Sequence, residues 1–144
     1  MKDELINKLK IEYSSLKNEL EKKRFSLGEA DSGKESRFPT QRVELENTII
    51  ILEDKVYETK QRIEELAALP EVSGDAAAIG SKVTFEYDGE KKIMLLVPKY
   101  GSFSDNVLSA ESPLGKAIIG RHLGELFEIN LNGAKKELKI VELA

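Results

Sequence analysis

The stretch from Gly28 to Pro39, GEADSGKESRFP, decides how this chain folds. It holds three carboxylates, Glu29, Asp31 and Glu35, together with Gly28 and Gly33, and has little apolar character. On its N-terminal side Ile6, Leu9, Tyr13, Leu16, Leu20 and Leu27 recur at spacings of three and four. On its C-terminal side Leu45, Ile49, Leu52, Val56, Ile63 and Leu66 do the same. Lys23 and Thr59 are the polar residues that fall on these seams. The spacing is that of a coiled-coil stripe and predicts two long helices. The two runs also match each other: Leu9 with Ile63, Leu16 with Val56, Leu20 with Leu52 and Leu27 with Leu45 all have numbers that add to 72. Antiparallel pairing requires such a constant, so the chain folds back near Ser36. Gly28 and Gly33 suit a helix end and a turn, and Pro39 suits the first turn of the second helix. The expected hairpin occupies residues 1–70, with its tip loop near 28–39, and its seam is roughly 30 Å long at about 1.5 Å per residue.

Beyond the hairpin the period changes. ALPEVSGDAAAIGS, residues 68–81, carries Pro70, Gly74 and Gly80, and 71–80 reads as a linker. KVTFEYD and KKIMLLVP then flank Asp88-Gly89, and LFEINL and KKELKIVEL flank Asn132-Gly133. Each is a period-2 strand pair around a two-residue turn signal. Between the pairs, SPLGKAIIGRHLG reads as a short helix with Ser112 as N-cap and Pro113 at its first position. Residues 81–144 are thus expected to form a small, mostly antiparallel β domain of about five strands with one short helix, making the chain α+β.

Bulk properties narrow the function. The net charge is −4, so nothing overall suggests a nucleic-acid coat. There is no cysteine, which removes disulfides and thiolate metal sites. No apolar run approaches the roughly 20 residues of a membrane span, and MKDELINKLK lacks the apolar core of a signal peptide. A soluble, cytoplasmic protein is expected. His122 is the single histidine and has no partners for a metal site or triad; a helix end is the expected place for it.

Several stretches together resemble the bacterial Gre transcript-cleavage factors (the GreA/GreB-like elongation factors). They are AAIGSKVTF, VLSAESPLGKAIIGRHLGELFEI and KKELKIVEL, the second of which contains Glu111-Ser112-Pro113-Leu114, Ile119-Gly120 and Gly124-Glu125. The resemblance implies an FKBP-like second domain that docks on bacterial RNA polymerase through Glu111, Ser112 and Pro113. It also implies a coiled coil that enters the polymerase secondary channel. At the tip, Asp31 and Glu35, with Glu29 third, would assist a Mg²⁺ ion of the polymerase active site while the nascent RNA 3′ end is cleaved. The factor would then be an accessory rather than an enzyme, with no tightly bound cofactor of its own, and a monomer is expected. Two-metal cleavage stabilises both the attacking and the leaving oxygen, and Mg²⁺ takes one or two carboxylates with waters and phosphate.

Two features bear on that expectation. The family's acidic pair is usually Asp-x-x-Glu, whereas Ser32-Gly33-Lys34 separates Asp31 from Glu35 here, and Arg37 follows. A channel-binding modulator or inhibitor without cleavage therefore stands as the alternative. Behind the tip, Lys22, Lys23, Arg24, Lys34, Arg37 and Arg42 leave residues 22–42 with an excess of three positive charges. Lys22, Lys23, Arg24, Arg37 and Arg42 are candidates to meet RNA phosphates; ordinary solvated helix faces would produce the same pattern. Lys23 lies on the seam, where a lysine snorkels or sets register. Two remoter readings are a prolyl isomerase and a coiled-coil adaptor. The first would need an aromatic pocket built from Phe85, Tyr87, Tyr100, Phe103 and Phe127, and none is evident from the sequence.

Overall fold

The computed structural model describes residues 2–31, 39–72 and 74–144. Ser36, the expected point of reversal, Gly33 and Lys34, and the candidates Glu35 and Arg37 lie outside the described residues. The chain divides into two compact units, residues 3–64 and 65–144.

Two helices dominate the first unit: α1, Lys2–Asp31, and α2, Pro39–Ala67. Leu20, Ile49 and Leu52 are buried together, and Leu16, Leu27, Leu45 and Val56 pack against them. Members of each expected pair (Leu16 with Val56, Leu20 with Leu52, Leu27 with Leu45) thus share one apolar cluster, which antiparallel pairing at that register produces. Of the polar seam positions, Thr59 is buried and Lys23 half-buried. A cross-helix ion pair, Arg24 to Glu53 at 3.2 Å, flanks the cluster. α2 begins at Pro39 as expected, but Gly28 does not end α1, which continues to Asp31. Gly28 is exposed and its backbone is not left-handed, so it behaves as an ordinary helical residue, tolerated at about 1 kcal/mol relative to alanine.

The second unit is built on a five-stranded sheet. Its strands are β1 (Lys82–Tyr87), β2 (Glu90–Val97), β3 (Val107–Ser109), β4 (Leu126–Leu131) and β5 (Ala134–Leu143), in the order β3-β2-β1-β5-β4. The two hairpins fall where the turn signals place them. Asp88 and Gly89 have φ of 49° and 76°, and Asn132 and Gly133 have φ of 53° and 81°. These left-handed pairs are the turns that Asp-Gly and Asn-Gly favour. The sheet is mixed rather than wholly antiparallel, because β3 runs parallel to β2, pairing Leu95 with Val107 and Val97 with Ser109. The segment 98–106 returns the chain to the same end of the sheet before β3 begins, which makes the parallel pairing possible.

A short helix, α3 (Pro113–Ile118), covers one face. The core joins Phe85, Met94, Leu96, Leu138 and Ile140 of the sheet to Leu114 and Ile118 of α3. α3 is shorter than expected. It ends at Ile118, and Gly120, with φ of 83°, turns the chain away. His122 therefore lies beyond the helix end, exposed, with its backbone bridged to Ala76. Residues 75–80 are held to the sheet and the α3 turn: Ala77 N–H donates to Arg121 O at 2.8 Å, and Gly80 N–H donates to Leu96 O at 2.8 Å.

Neighbouring residues on α2 test the seam. Leu52 is 5% exposed and Ile51 is 54% exposed. Leu52→Ala is expected to cost about 2–5 kcal/mol, and Ile51→Ala to stay within roughly 0.5 kcal/mol. Helicity followed through urea unfolding measures both. Equal effects would contradict the register.

Candidate functional site

The turn from Ser109 to Gly115 is locked by two hydroxyls and one carbonyl. Ser112 Oγ donates to Ser109 O at 2.6 Å and accepts from Gly115 N–H at 3.0 Å. Ser112 N–H also donates to Ser109 O, at 3.1 Å, and Ser109 Oγ accepts from Glu111 N–H at 3.1 Å. Ser112 is thus the N-cap of α3, as its position before Pro113 predicts, and its hydroxyl is spent on the fold. Glu111 and Pro113, on either side, are exposed. The close approach works only with glycine at 115, where a Cβ would stand 1.9 Å from Ser109 O. The sequence reading did not single out Gly115, because Ser109 O, the atom that excludes its side chain, comes close only once the turn has formed.

Ser112 and Pro113 also form part of the lip of a cavity of about 340 Å³. Phe85, Tyr87, Phe103 and Leu138 line it. An aromatic-walled recess therefore exists although none was evident in the sequence; Tyr100 and Phe127 take no part in it. Lys92 stands over the Phe103 ring at 4.4 Å and over the Tyr87 ring at 5.9 Å. Lys136, paired with Asp88, contributes to the lining. The Asp88 carboxylate raises the Lys136 ammonium above its ordinary pKa. The recess is apolar and aromatic, with Lys136 at its border. Among the described residues, no group of three or more His, Asp or Glu residues could hold a metal ion.

Gly124-Glu125, the turn into β4, is tied by Arg121. Its guanidinium donates to Ala117 O at 2.9 Å and to Glu125 Oε2 at 2.7 Å, and lies over the Phe127 ring at 4.3 Å. That hydrogen bond holds the Glu125 carboxyl below its ordinary pKa. Arg121 is a second residue that sequence reasoning missed; its i,i+4 spacing to Glu125 was the available signal.

At the hairpin end, Glu29 and Asp31 belong to the last turn of α1 by their backbone, and Glu35 lies outside the described residues. The expected basic collar is spread over both helices. Lys22 is exposed, Lys23 half-buried, Arg24 pairs with Glu53, and Arg42 pairs with Glu46 at 3.2 Å along α2. Arg24 and Arg42 keep 56% and 50% of their side chains exposed, so both remain reachable by a phosphate.

Residues 72–144 match the model of the C-terminal domain of transcription elongation factors GreA/GreB. The chain belongs to this family of transcription elongation factors. It is 32% identical over 73 residues to the transcription elongation factor GreA of Thermotoga neapolitana, a match covering 49% of this chain and 47% of that protein. To GreA of Novosphingobium aromaticivorans it is 35% identical over 95 residues, covering 65% and 57%. The chain thus spans about half the length of these relatives. Among solved structures, GreA factor homolog 1 (Gfh1) of Thermus thermophilus is 19% identical over 96% of this chain and 94% of that one, with a TM-score of 0.44. Among the described residues no helix is long and apolar enough to cross a membrane.

The Arg121–Glu125 pair sets a pH dependence. Because the folded carboxyl titrates below its unfolded value, its stabilisation is present above the ordinary glutamate range and is lost as pH falls through the lowered pKa. In a carboxyl-carbon NMR titration, Glu125 should show a lower midpoint than exposed glutamates, and Arg121→Ala should return it to the ordinary range. An unchanged midpoint in Arg121→Ala would contradict the assignment.

Proposed function

We propose that the protein binds bacterial RNA polymerase through its secondary channel and stimulates cleavage of backtracked transcripts. One observation carries the reading: a domain of the GreA/GreB family is joined to a two-helix hairpin, and the sequence at the end of α1 and just beyond it carries Glu29, Asp31 and Glu35. The protein serves as an accessory, active as a monomer inside the cell, and the polymerase performs the hydrolysis. The exposed Glu111 and Pro113 contact the polymerase, while Ser112 shapes the turn that presents them. Carboxylate oxygens are the hard donors that Mg²⁺ takes, so Asp31 and Glu35 suit a metal in the polymerase active site. Bound there, Mg²⁺ supplies charge stabilisation for the attacking and leaving oxygens. Lys22, Arg24 and Arg42, with Lys23 and Arg37, neutralise phosphates of the RNA 3′ segment, which makes the effect salt-sensitive.

The wider separation of Asp31 from Glu35 favours a second reading, in which the same placement modulates or inhibits the polymerase without cleavage. Stalled, backtracked elongation complexes separate the two. Transcript shortening that drops at least tenfold with Asp31→Asn or Glu35→Gln supports the first reading. Slowed synthesis with no shortening supports the second. Retention on immobilised polymerase should fall with Pro113→Ala and stay unchanged with the two tip variants; no retention of the wild-type protein would defeat both.

A further inference from the structure

We infer that the outward face of α2 is a docking surface for a basic, apolar helix of the polymerase, which lies along Val43, Ile50 and Tyr57. The inference rests on the polymerase-binding reading above and does not need cleavage. Val43, Ile50 and Tyr57 are 53%, 56% and 62% exposed. They recur every seven residues and cover about 21 Å of α2 at about 1.5 Å per residue. Single exposed apolar residues are ordinary; a continuous row of them marks a surface that a partner covers. Leu45 and Leu52, which belong to the seam, lie about 140° and 160° around the helix from Ile50, so the row faces away from α1.

The spacing points to a helical partner. A seven-residue repeat drifts only about 20° per heptad around a straight helix, and a second helix follows that drift by crossing at a shallow angle. α1 offers no such row. Its exposed apolar residues Ile11 and Phe25 are two heptads apart, with Asn18 between them.

Charge selects the occupant. Between Val43 and Tyr57 the charged residues within about 60° of Ile50 around the helix are Glu46, Glu53 and Asp54. Lys55, the basic residue of that stretch, lies about 140° away. Glu46 is bonded to Arg42 and Glu53 to Arg24, whereas Asp54 is exposed and in no ion pair among the described residues. A row bordered by carboxylates repels the phosphates of nucleic acid. It also opposes self-association. Antiparallel pairing of two rows about Ile50 sets Glu46 against Asp54 of a second copy, and parallel pairing sets each carboxylate against its own equivalent. Like charges brought together across an interface suppress binding, and opposite charges favour it. The face therefore fits a helix whose apolar residues are flanked by lysine or arginine.

The test measures binding of the full chain to immobilised RNA polymerase as wild type, Ile50→Ser, Ile51→Ser and Asp54→Lys. Ile51 is the internal control: it is the same residue type, 54% exposed, and about 100° around the helix from Ile50. Ile50→Ser should weaken binding about tenfold or more, as loss of a buried isoleucine contact does, and Ile51→Ser should stay within about twofold of wild type. Asp54→Lys should weaken binding about tenfold at low salt and less at high salt. Helicity and the urea midpoint should match wild type in all three variants, because the substituted side chains are exposed. Equal binding by Ile50→Ser and Ile51→Ser, or wild-type binding by Asp54→Lys, would overturn the inference and leave polymerase binding intact. So would a dimer in sedimentation velocity that Ile50→Ser dissociates, which would assign the row to a second copy. A wild-type protein that is not retained defeats polymerase binding and this inference with it.

Discussion

Burial of one apolar stripe between α1 and α2 is the constraint on which the rest depends. Both helices are polar over most of their surface, and an isolated helix in water gains little from propensity alone. What makes them a hairpin is the contact of Leu20, Ile49 and Leu52 and the residues around them. Each fully buried leucine or isoleucine contributes about 1.5–3 kcal/mol of transfer free energy, against which the exposed Arg24–Glu53 pair adds at most about 1 kcal/mol. The stripe fixes register as well as stability. A slip of one heptad would set Leu20 opposite Leu45 or Thr59 and would move the expected reversal point by about half a heptad along the chain.

The second unit follows a different logic. Its stability is that of a small sheet closed by α3, and its most specific interactions are polar and local. Ser112 Oγ, Ser109 O and the missing side chain of Gly115 together set the turn that exposes Glu111 and Pro113. Arg121 does the same for the turn into β4, by stacking on Phe127 and bonding Ala117 O and Glu125. In each case a polar group that looks available for chemistry is engaged in shaping the backbone. The exposed features of this region are Glu111, Pro113 and the aromatic recess that Lys136 helps to line.

What could be read without coordinates was whatever depends on near neighbours in the chain. The hairpin was legible because its spacing is periodic and because its partner sums agree. The Asp88-Gly89 and Asn132-Gly133 turns were legible because few residues accept a left-handed backbone. The cap of α3 was legible because Ser-Pro has few other uses. The failures depended on backbone paths and through-space contacts that no local spacing shows. β3 has three residues, and its parallel pairing with β2 depends on the path of 98–106. α3 stops at Ile118 because Gly120 takes a left-handed turn, although the residues beyond are compatible with helix. Gly115 is required by a carbonyl six residues earlier. The aromatic recess is a space that the sheet and α3 leave unfilled, and no local pattern encodes a space. Membership of the GreA/GreB family was legible from the Ser-Pro and Gly-Glu segments of the second unit. The tip chemistry was carried by the same resemblance and by the three carboxylates alone.

The proposed function is one of delivery: a hairpin held by an apolar seam would bring carboxylate oxygens to a metal that another protein holds. The most direct measurement places a photocrosslinking residue at Ser36 and activates it in backtracked elongation complexes. The account predicts crosslinks to the polymerase active site and to the RNA 3′ end, competed away by unmodified protein. Crosslinks confined to the outer surface of the polymerase, or none to polymerase and RNA, would contradict it.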